Sequence, residues 1–204
     1  KGTQAWFLVR RLRKAGKKVA IVSFPRYDQP SSYFVQEYLR GVYGPASKVK
    51  PHAAAMFYAL DRFAAAPAIR KLLEKGTTVI ADRYVMSNLH QAAKIASPRE
   101  RTAFVAWLGG LEYKTLDVPQ PDLQIFLDVP TEIAFKLIAQ KKERGYLRGK
   151  RRDLHERDKS HLENAAAAYR QAAKRWPGKW LTVHCAPKGT MRPAEEIHEE
   201  LFRK

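Results

Sequence analysis

Val79-Ile80-Ala81-Asp82-Arg83-Tyr84-Val85-Met86-Ser87-Asn88 joins a buried-strand pattern to a cluster of polar side chains. The β-branched apolar run stops at Asp-Arg-Tyr, and Ser87 and Asn88 follow within one helical turn. In an open parallel sheet ligands gather beyond the carboxyl ends of the strands, so a charged pair placed there marks a candidate site. Asp82 suits a cation, Arg83 a two-pronged grip on phosphate, and Ser87 and Asn88 hydrogen bonds to a base. A strand-end ion pair followed by a helix cap is the plainer reading, and the stretch alone divides about evenly between the two.

Similar apolar runs lie on either side of it. Val19-Ala20-Ile21-Val22, Asp122-Leu123-Gln124-Ile125-Phe126-Leu127-Asp128 and Trp180 to His184 all read as buried parallel strands. Helical periodicity covers residues 1–15 (stopped by Gly16), 31–40, 51–73, 86–96 and 99–112. It returns from Pro130-Thr131-Glu132, over 153–174 and over 193–203, and Pro67 is expected to break the third helix. Strands alternating with helices imply a doubly wound α/β domain, and 204 residues suit a single one with mobile appendages.

The composition narrows the partners. A net charge of +18 draws phosphorylated ligands or nucleic acid without saying which. No apolar run approaches the length of a membrane span, and Lys1-Gly2-Thr3-Gln4 leads straight into a helical pattern, so neither membrane nor signal peptide is expected. The single cysteine, Cys185, fits a reducing cytoplasm and reads as a packed residue. No His/Cys cluster has zinc-ligand spacing, and His155 and His161 read as surface residues.

Several short motifs add chemistry. Phe24-Pro25-Arg26-Tyr27 puts a guanidinium and a phenol at a strand end, where Arg26 can grip phosphate as lysine cannot. Tyr58 and Arg62 are four apart and so share a helix face, as a base-stacking ring and phosphate ligand or as a commonplace aromatic–cation pair. The stretch Lys141 to Arg152 holds Arg144, Arg148, Arg151 and Arg152 with Gly145 and Gly149, which suits either solvated surface or a lid over triphosphate. Lys1-Gly2-Thr3 resembles the end of a phosphate-binding loop, although the tripeptide alone is a weak signal.

In chain order Lys-Gly-Thr-Gln, Phe-Pro-Arg-Tyr, Tyr-Ala-Leu-Asp-Arg, Asp-Arg-Tyr-x-x-Ser-Asn and Leu-Asp-Val-Pro ahead of an arginine-rich lid resemble the thymidylate kinase family over nearly the whole chain. The resemblance implies a P-loop NTPase fold, with a doubly wound parallel sheet flanked by helices and a lid at about 141–152. It implies ATP, Mg2+ and dTMP as ligands and in-line γ-phosphoryl transfer giving dTDP and ADP, catalysed by positioning and charge neutralisation. By it Lys1, Gly2 and Thr3 belong to the ATP loop, with Lys1 following the transferring phosphate. Arg144, Arg148, Arg151 and Arg152 would serve ATP from the lid, with Arg83, Arg144 and Arg148 catalytic beside Lys1. Phe24, Arg26, Tyr27, Tyr58, Arg62, Arg83, Ser87, Asn88 and Gln91 would bind dTMP, with Arg26, Arg62 and Arg83 on its phosphate. Asp82 and Glu156 would hold magnesium through water. A homodimer is also implied, for which the apolar segment Phe104-Val105-Ala106-Trp107-Leu108 could serve.

The chain departs from the family pattern in places. It opens inside the loop, without the first strand and the loop glycines, so the natural chain is expected to begin upstream. That strand lies mid-sheet in this fold, and without it the hydrogen-bond ladder is expected to divide. Gly2 stands at the magnesium-binding hydroxyl position, Tyr58 stands where the family usually has phenylalanine, and Asn88-Leu89-His90-Gln91 reads one residue short. Two rivals stay open: a kinase for another monophosphate or a deoxynucleoside, and a non-catalytic basic nucleic-acid binder, against which three separate phosphate-type arginines count.

Overall fold

The computed structural model describes residues 1–45, 47–139, 159–175 and 179–203. Helix α1 (Gly2–Lys14) opens the chain and ends where Gly16 takes a left-handed conformation at φ 77°, with the Lys17 amide returning to the Leu12 carbonyl. Strand β1 (Val19–Ser23), a 3-10 turn (Pro30–Ser32) and α2 (Tyr33–Arg40) follow. Next come α3 (Pro51–Glu74), β2 (Thr78–Asp82), a 3-10 turn (Val85–Asn88), α4 (Leu89–Ala92) and α5 (Pro98–Gly109). A π-helical turn (Gly110–Thr115) extends α5 and precedes β3 (Gln124–Asp128). Helices α6 (Thr131–Ala139) and α7 (Lys159–Arg175), strand β4 (Trp180–His184) and α8 (Ala194–Arg203) complete the described chain.

The four strands form two parallel pairs, a divided ladder of the kind the sequence analysis expects. In one pair the register runs from Val19 opposite Thr78 to Ser23 opposite Asp82. In the other it runs from Gln124 opposite Trp180 to Asp128 opposite His184. Helix α1 joins the two halves. It lies against β1, β2 and α8, and its Leu8 packs onto Val183, Cys185, Ile197 and Leu201 beside β4. The Gln4 Nε2 donates to the Ala194 carbonyl at 2.7 Å, and Arg11 pairs with Glu199. Cys185 is buried in this cluster, as its reading as a packed residue required.

Two local expectations are corrected. Pro67 does not break α3, because it sits on the exposed face, where water can hydrate the carbonyl its ring leaves without an amide. The helix expected over 86–96 is a 3-10 turn plus one turn of α-helix, since a side-chain and main-chain exchange between Tyr84 and Ser87 tightens its start. In the segment offered as a dimer face, Val105, Ala106 and Trp107 keep partial or full exposure. Phe104 and Leu108 are buried with Ala55, Val85, Ala92 and Val118, and each contributes roughly 2–3 kcal/mol by leaving water. Large exposed apolar side chains also lie on α2 and α3: Tyr33, Phe34, Leu60 and Phe63 are each more than 40% exposed, and Phe34 stacks on Phe57.

Candidate functional site

Strands β1 and β2 end side by side, so Ser23 and Asp82 deliver their following loops to one place, and the Phe24 amide adds a bond to the Asp82 carbonyl at 3.0 Å. Phe24 is joined to Pro25 by a cis peptide bond. Its ring is 4% exposed and packs on Ala65 and Ile69. Arg26, next along, is aimed by α3. Its amide donates to Asp61 Oδ2 at 2.8 Å, its Nε to Asp61 Oδ1 at 3.1 Å, and its Nη2 to Ser31 Oγ at 2.8 Å. Asp61 is 1% exposed, so this buried carboxylate fixes an arginine whose own side chain keeps 20% exposure. Tyr27 packs half-buried against α2 and α3.

Arg83 follows β2 in the left-handed region, at φ 68°, a conformation that costs a non-glycine residue about 1–2 kcal/mol. The chain turns there, and the arginine comes out exposed. Burial works to lower its pKa, while Tyr169, Tyr27, Asp82 and Tyr58 work against that and prevail, so the net shift is upward. Arg83 is nevertheless among the exposed residues, so its surroundings crowd it without closing over it. Asp82 lies against the start of α1, where a Cβ added to Gly2 would meet its Oδ2 at 3.3 Å. Lys1 and Thr3 are exposed at that helix start, whose free amides favour anions.

Arg62 is 1% exposed and meets Glu112 fork to fork, Nε to Oε2 and Nη2 to Oε1, both at 2.6 Å. A buried guanidinium so engaged is anchored by the protein itself. Glu112 is fully buried on the π-helical turn that follows α5, a rare geometry frequent at functional sites. It also receives Asn88 Nδ2 at 3.4 Å, while that same nitrogen donates to the Ala55 carbonyl at 3.2 Å. Asn88 Oδ1 is buried with no hydrogen-bond partner.

Around this anchor lie the aromatic groups. Tyr58 meets the His90 ring edge-on at 5.6 Å. His90 Nδ1 lies 2.5 Å from the Ser87 carbonyl, and its Nε2 lies 2.8 Å from Gln91 Nε2. Those partners assign a neutral imidazole with its proton on Nδ1, since the amide nitrogen can only donate. Burial pushes the His90 pKa down to about 3, against the raising effect of the Ser87 carbonyl. Ser87 Oγ accepts from the Tyr84 amide at 3.3 Å, which makes it a turn residue here. The Ser87 carbonyl also accepts from the Tyr169 hydroxyl at 2.8 Å.

Strand ends and α3 thus bring Arg26, Tyr27, Tyr58, Asp82, Arg83, Ser87, Asn88 and Gln91 to one region, with the start of α1 beside Asp82. Arg144, Arg148, Arg151, Arg152 and Glu156 lie outside the described residues. The sequence analysis missed Glu112, Tyr169 and the orienting role of Asp61. Glu112 carried a usable signal, an acidic residue inside the apolar pattern Leu108 to Leu116, whereas nothing marked Tyr169. Among the described residues no group of three or more acidic, histidine or cysteine side chains could hold a metal. Asp82 alone still suits magnesium, which commonly keeps several waters and takes one or two carboxylates plus substrate phosphates.

A family model described as thymidylate kinase matches residues 1–200. The thymidylate kinase of Mycobacterium tuberculosis (strain ATCC 25618 / H37Rv) is 36% identical over 174 residues, covering 84% of this chain and 79% of that protein. The thymidylate kinase of Thermomicrobium roseum is 30% identical over 185 residues, 90% of this chain and 80% of its own. The human thymidylate kinase is 25% identical over 209 residues, 98% of this chain and 82% of its own.

Proposed function

The chain belongs to the thymidylate kinase family, and from that premise we propose how its own residues carry ATP-dependent phosphoryl transfer to dTMP. The observation that supports the assignment best is the pair of arginines, Arg26 and Arg83, set beyond the adjacent ends of β1 and β2. Arg26 is held by buried Asp61 with part of its side chain still exposed, and Arg83 is exposed beside it. These two take the phosphate of dTMP, and Tyr27 and Tyr58 line its sugar and base. Asn88 and Gln91 face the base edge. The donor phosphates lie at the start of α1, where helix amides and Lys1 neutralise charge. The resemblance would give Arg144 and Arg148 to the transferring group and Arg151 and Arg152 to ATP.

Asp82, with Glu156, would hold Mg2+ through water, and the ion supplies charge neutralisation between the two phosphates. Everything else is positioning: the enzyme forms no covalent intermediate, and the acceptor oxygen is aligned by Arg26 and Arg83.

The cytoplasm suits a chain whose one cysteine is free and buried, and among the described residues no helix is long and apolar enough to cross a membrane. A homodimer has its best available surface in the exposed rings of α2 and α3. A monomer in light scattering at micromolar concentration would remove that assignment.

The deciding experiment is a mass-spectrometric transfer assay with ATP, magnesium and each nucleoside monophosphate. Conversion of dTMP in preference to the others is expected, and Arg83→Lys should raise the KM for dTMP about tenfold or more because a point charge replaces the fork. Preferential turnover of another monophosphate would keep the fold and overturn the substrate. Absence of turnover, together with salt-sensitive binding of nucleic acid, would favour the basic binder.

A further inference from the structure

We propose that Glu112 is a positioning residue for base selection: its carboxylate fixes the sense of the Asn88 amide, so that Asn88 offers an acceptor to the substrate's base. The proposal rests on the functional reading above. The contact of Asn88 with the base belongs to that reading, and what is added is the group that decides which half of the amide makes it.

Asn88 Nδ2 lies 3.2 Å from the Ala55 carbonyl and 3.4 Å from Glu112 Oε1, and both of those atoms can only accept. Turning the amide over would set its oxygen against two acceptors in a region that is 1% exposed at Asn88 and 0% at Glu112. The nitrogen is therefore committed to the protein. What is left is Oδ1, buried and without a partner. A buried amide oxygen with nothing to accept from is a standing cost that a ligand N–H relieves. Glu112 does not drift, because Arg62 holds both of its oxygens at 2.6 Å.

The consequence is chemical selectivity. Thymine and uracil carry a ring N–H between two carbonyls, whereas cytosine carries a bare ring nitrogen at the same place. An acceptor fixed at Asn88 rewards the first kind of edge and repels the second, and a site built around one hydrogen bond rejects the analogue that lacks it. The lock is blind to the 5-methyl group, so it separates dTMP from dCMP and not from dUMP.

The test measures KM and kcat for dTMP and dCMP, with binding by calorimetry, in wild type, Glu112→Gln and Glu112→Asp. Glutamine can turn a donor toward Asn88 and so removes one of the two acceptors that oppose the reversed amide, leaving the Ala55 carbonyl alone against it. Aspartate keeps the counter-charge on Arg62 but withdraws the carboxylate from Asn88 by one methylene. In a folded variant the preference for dTMP over dCMP should fall about tenfold, through a raised KM for dTMP with kcat nearly constant. A purely structural role would lower the active fraction for both substrates alike, and an unchanged preference in either folded variant overturns the proposal. Wild type supplies an arm that no folding defect can touch. N3-methyl dTMP, which lacks the ring N–H, should bind about tenfold or more weaker than dTMP, and equal binding overturns the proposal. Wild type that neither binds nor phosphorylates dTMP would instead sink the kinase reading and this proposal with it.

Discussion

The hydroxyl of Tyr169 donates to the carbonyl of Ser87 at 2.8 Å, across 82 residues of sequence. This bond ties α7 to the turn that follows β2. The same phenol is a Coulombic neighbour of Arg83, and its ring stacks on Phe126 of β3 at 5.4 Å. One side chain thus links the β3–β4 pair to the carboxyl end of the β1–β2 pair. Burial, partly countered by Arg83, pushes its pKa up to about 12, so it remains a donor throughout the neutral range.

Tyr169→Phe removes the bond and leaves the stacking. The Ser87 carbonyl keeps its contact with His90, so the stability loss should be about 1 kcal/mol in denaturant unfolding. The KM for dTMP should rise several-fold because the turn bearing Arg83 loses a tether. An unaltered KM would show that Tyr169 has no part in orienting the site.

The Arg62–Glu112 pair is buried on both sides, with side chains 2% and 0% exposed. Removing one partner strands a buried charge, and Glu112→Leu alone should cost about 3–5 kcal/mol. The double variant Arg62→Met with Glu112→Leu should regain most of that loss, since neither charge remains to be solvated. Urea unfolding of the three proteins decides it, and a double variant no more stable than the single one would contradict the account.

His90 sets a pH dependence with a definite sign. Its pKa is pushed down to about 3 in the fold, against an ordinary value of 6.5. Between those values the unfolded chain binds a proton that the folded chain refuses. Stability is therefore lost as pH falls below 6.5, by on the order of 2 kcal/mol at pH 5, and the loss levels off only below pH 3. In His90→Gln the slope between pH 6.5 and 5 should flatten by about that amount, as read from unfolding midpoints. Identical slopes would show that the imidazole is not held neutral.

Arg83 pays a conformational cost at φ 68°. Arg83→Gly and Arg83→Ala both delete the guanidinium, and both should reduce kcat/KM for dTMP by about 100-fold or more. Glycine accepts the left-handed backbone and alanine does not, so the glycine variant should be the more stable by about 1 kcal/mol. Equal melting temperatures would mean that the backbone relaxes out of that region once the arginine is gone.

The legible part of this protein was its local grammar. Apolar runs ending in Asp82-Arg83 and Phe24-Pro25-Arg26 placed both arginines at strand ends, and the pairing of Ser23 with Asp82 put those ends side by side. The spacing of Tyr58 and Arg62 could not reveal what Arg62 meets. Whether a guanidinium faces solvent or a buried carboxylate depends on what folds against it. In this case that is Glu112, 50 residues away on a π-helical turn. The burial of Phe104 and Leu108 was hidden for the same reason: an apolar helix face looks alike whether it meets the core or a partner.

The sequence by itself determined the order of strands and helices, the family and the residue types of the site, because periodicity and short motifs are properties of neighbouring residues. Only the tertiary structure decided that Arg62 is anchored by Glu112, that Phe24 is buried, that His90 is neutral and that Asn88 has a fixed sense. Each of those depends on burial and on donors and acceptors brought together from distant segments, and in a low-dielectric interior such pairings outweigh anything a residue's own sequence neighbours can impose.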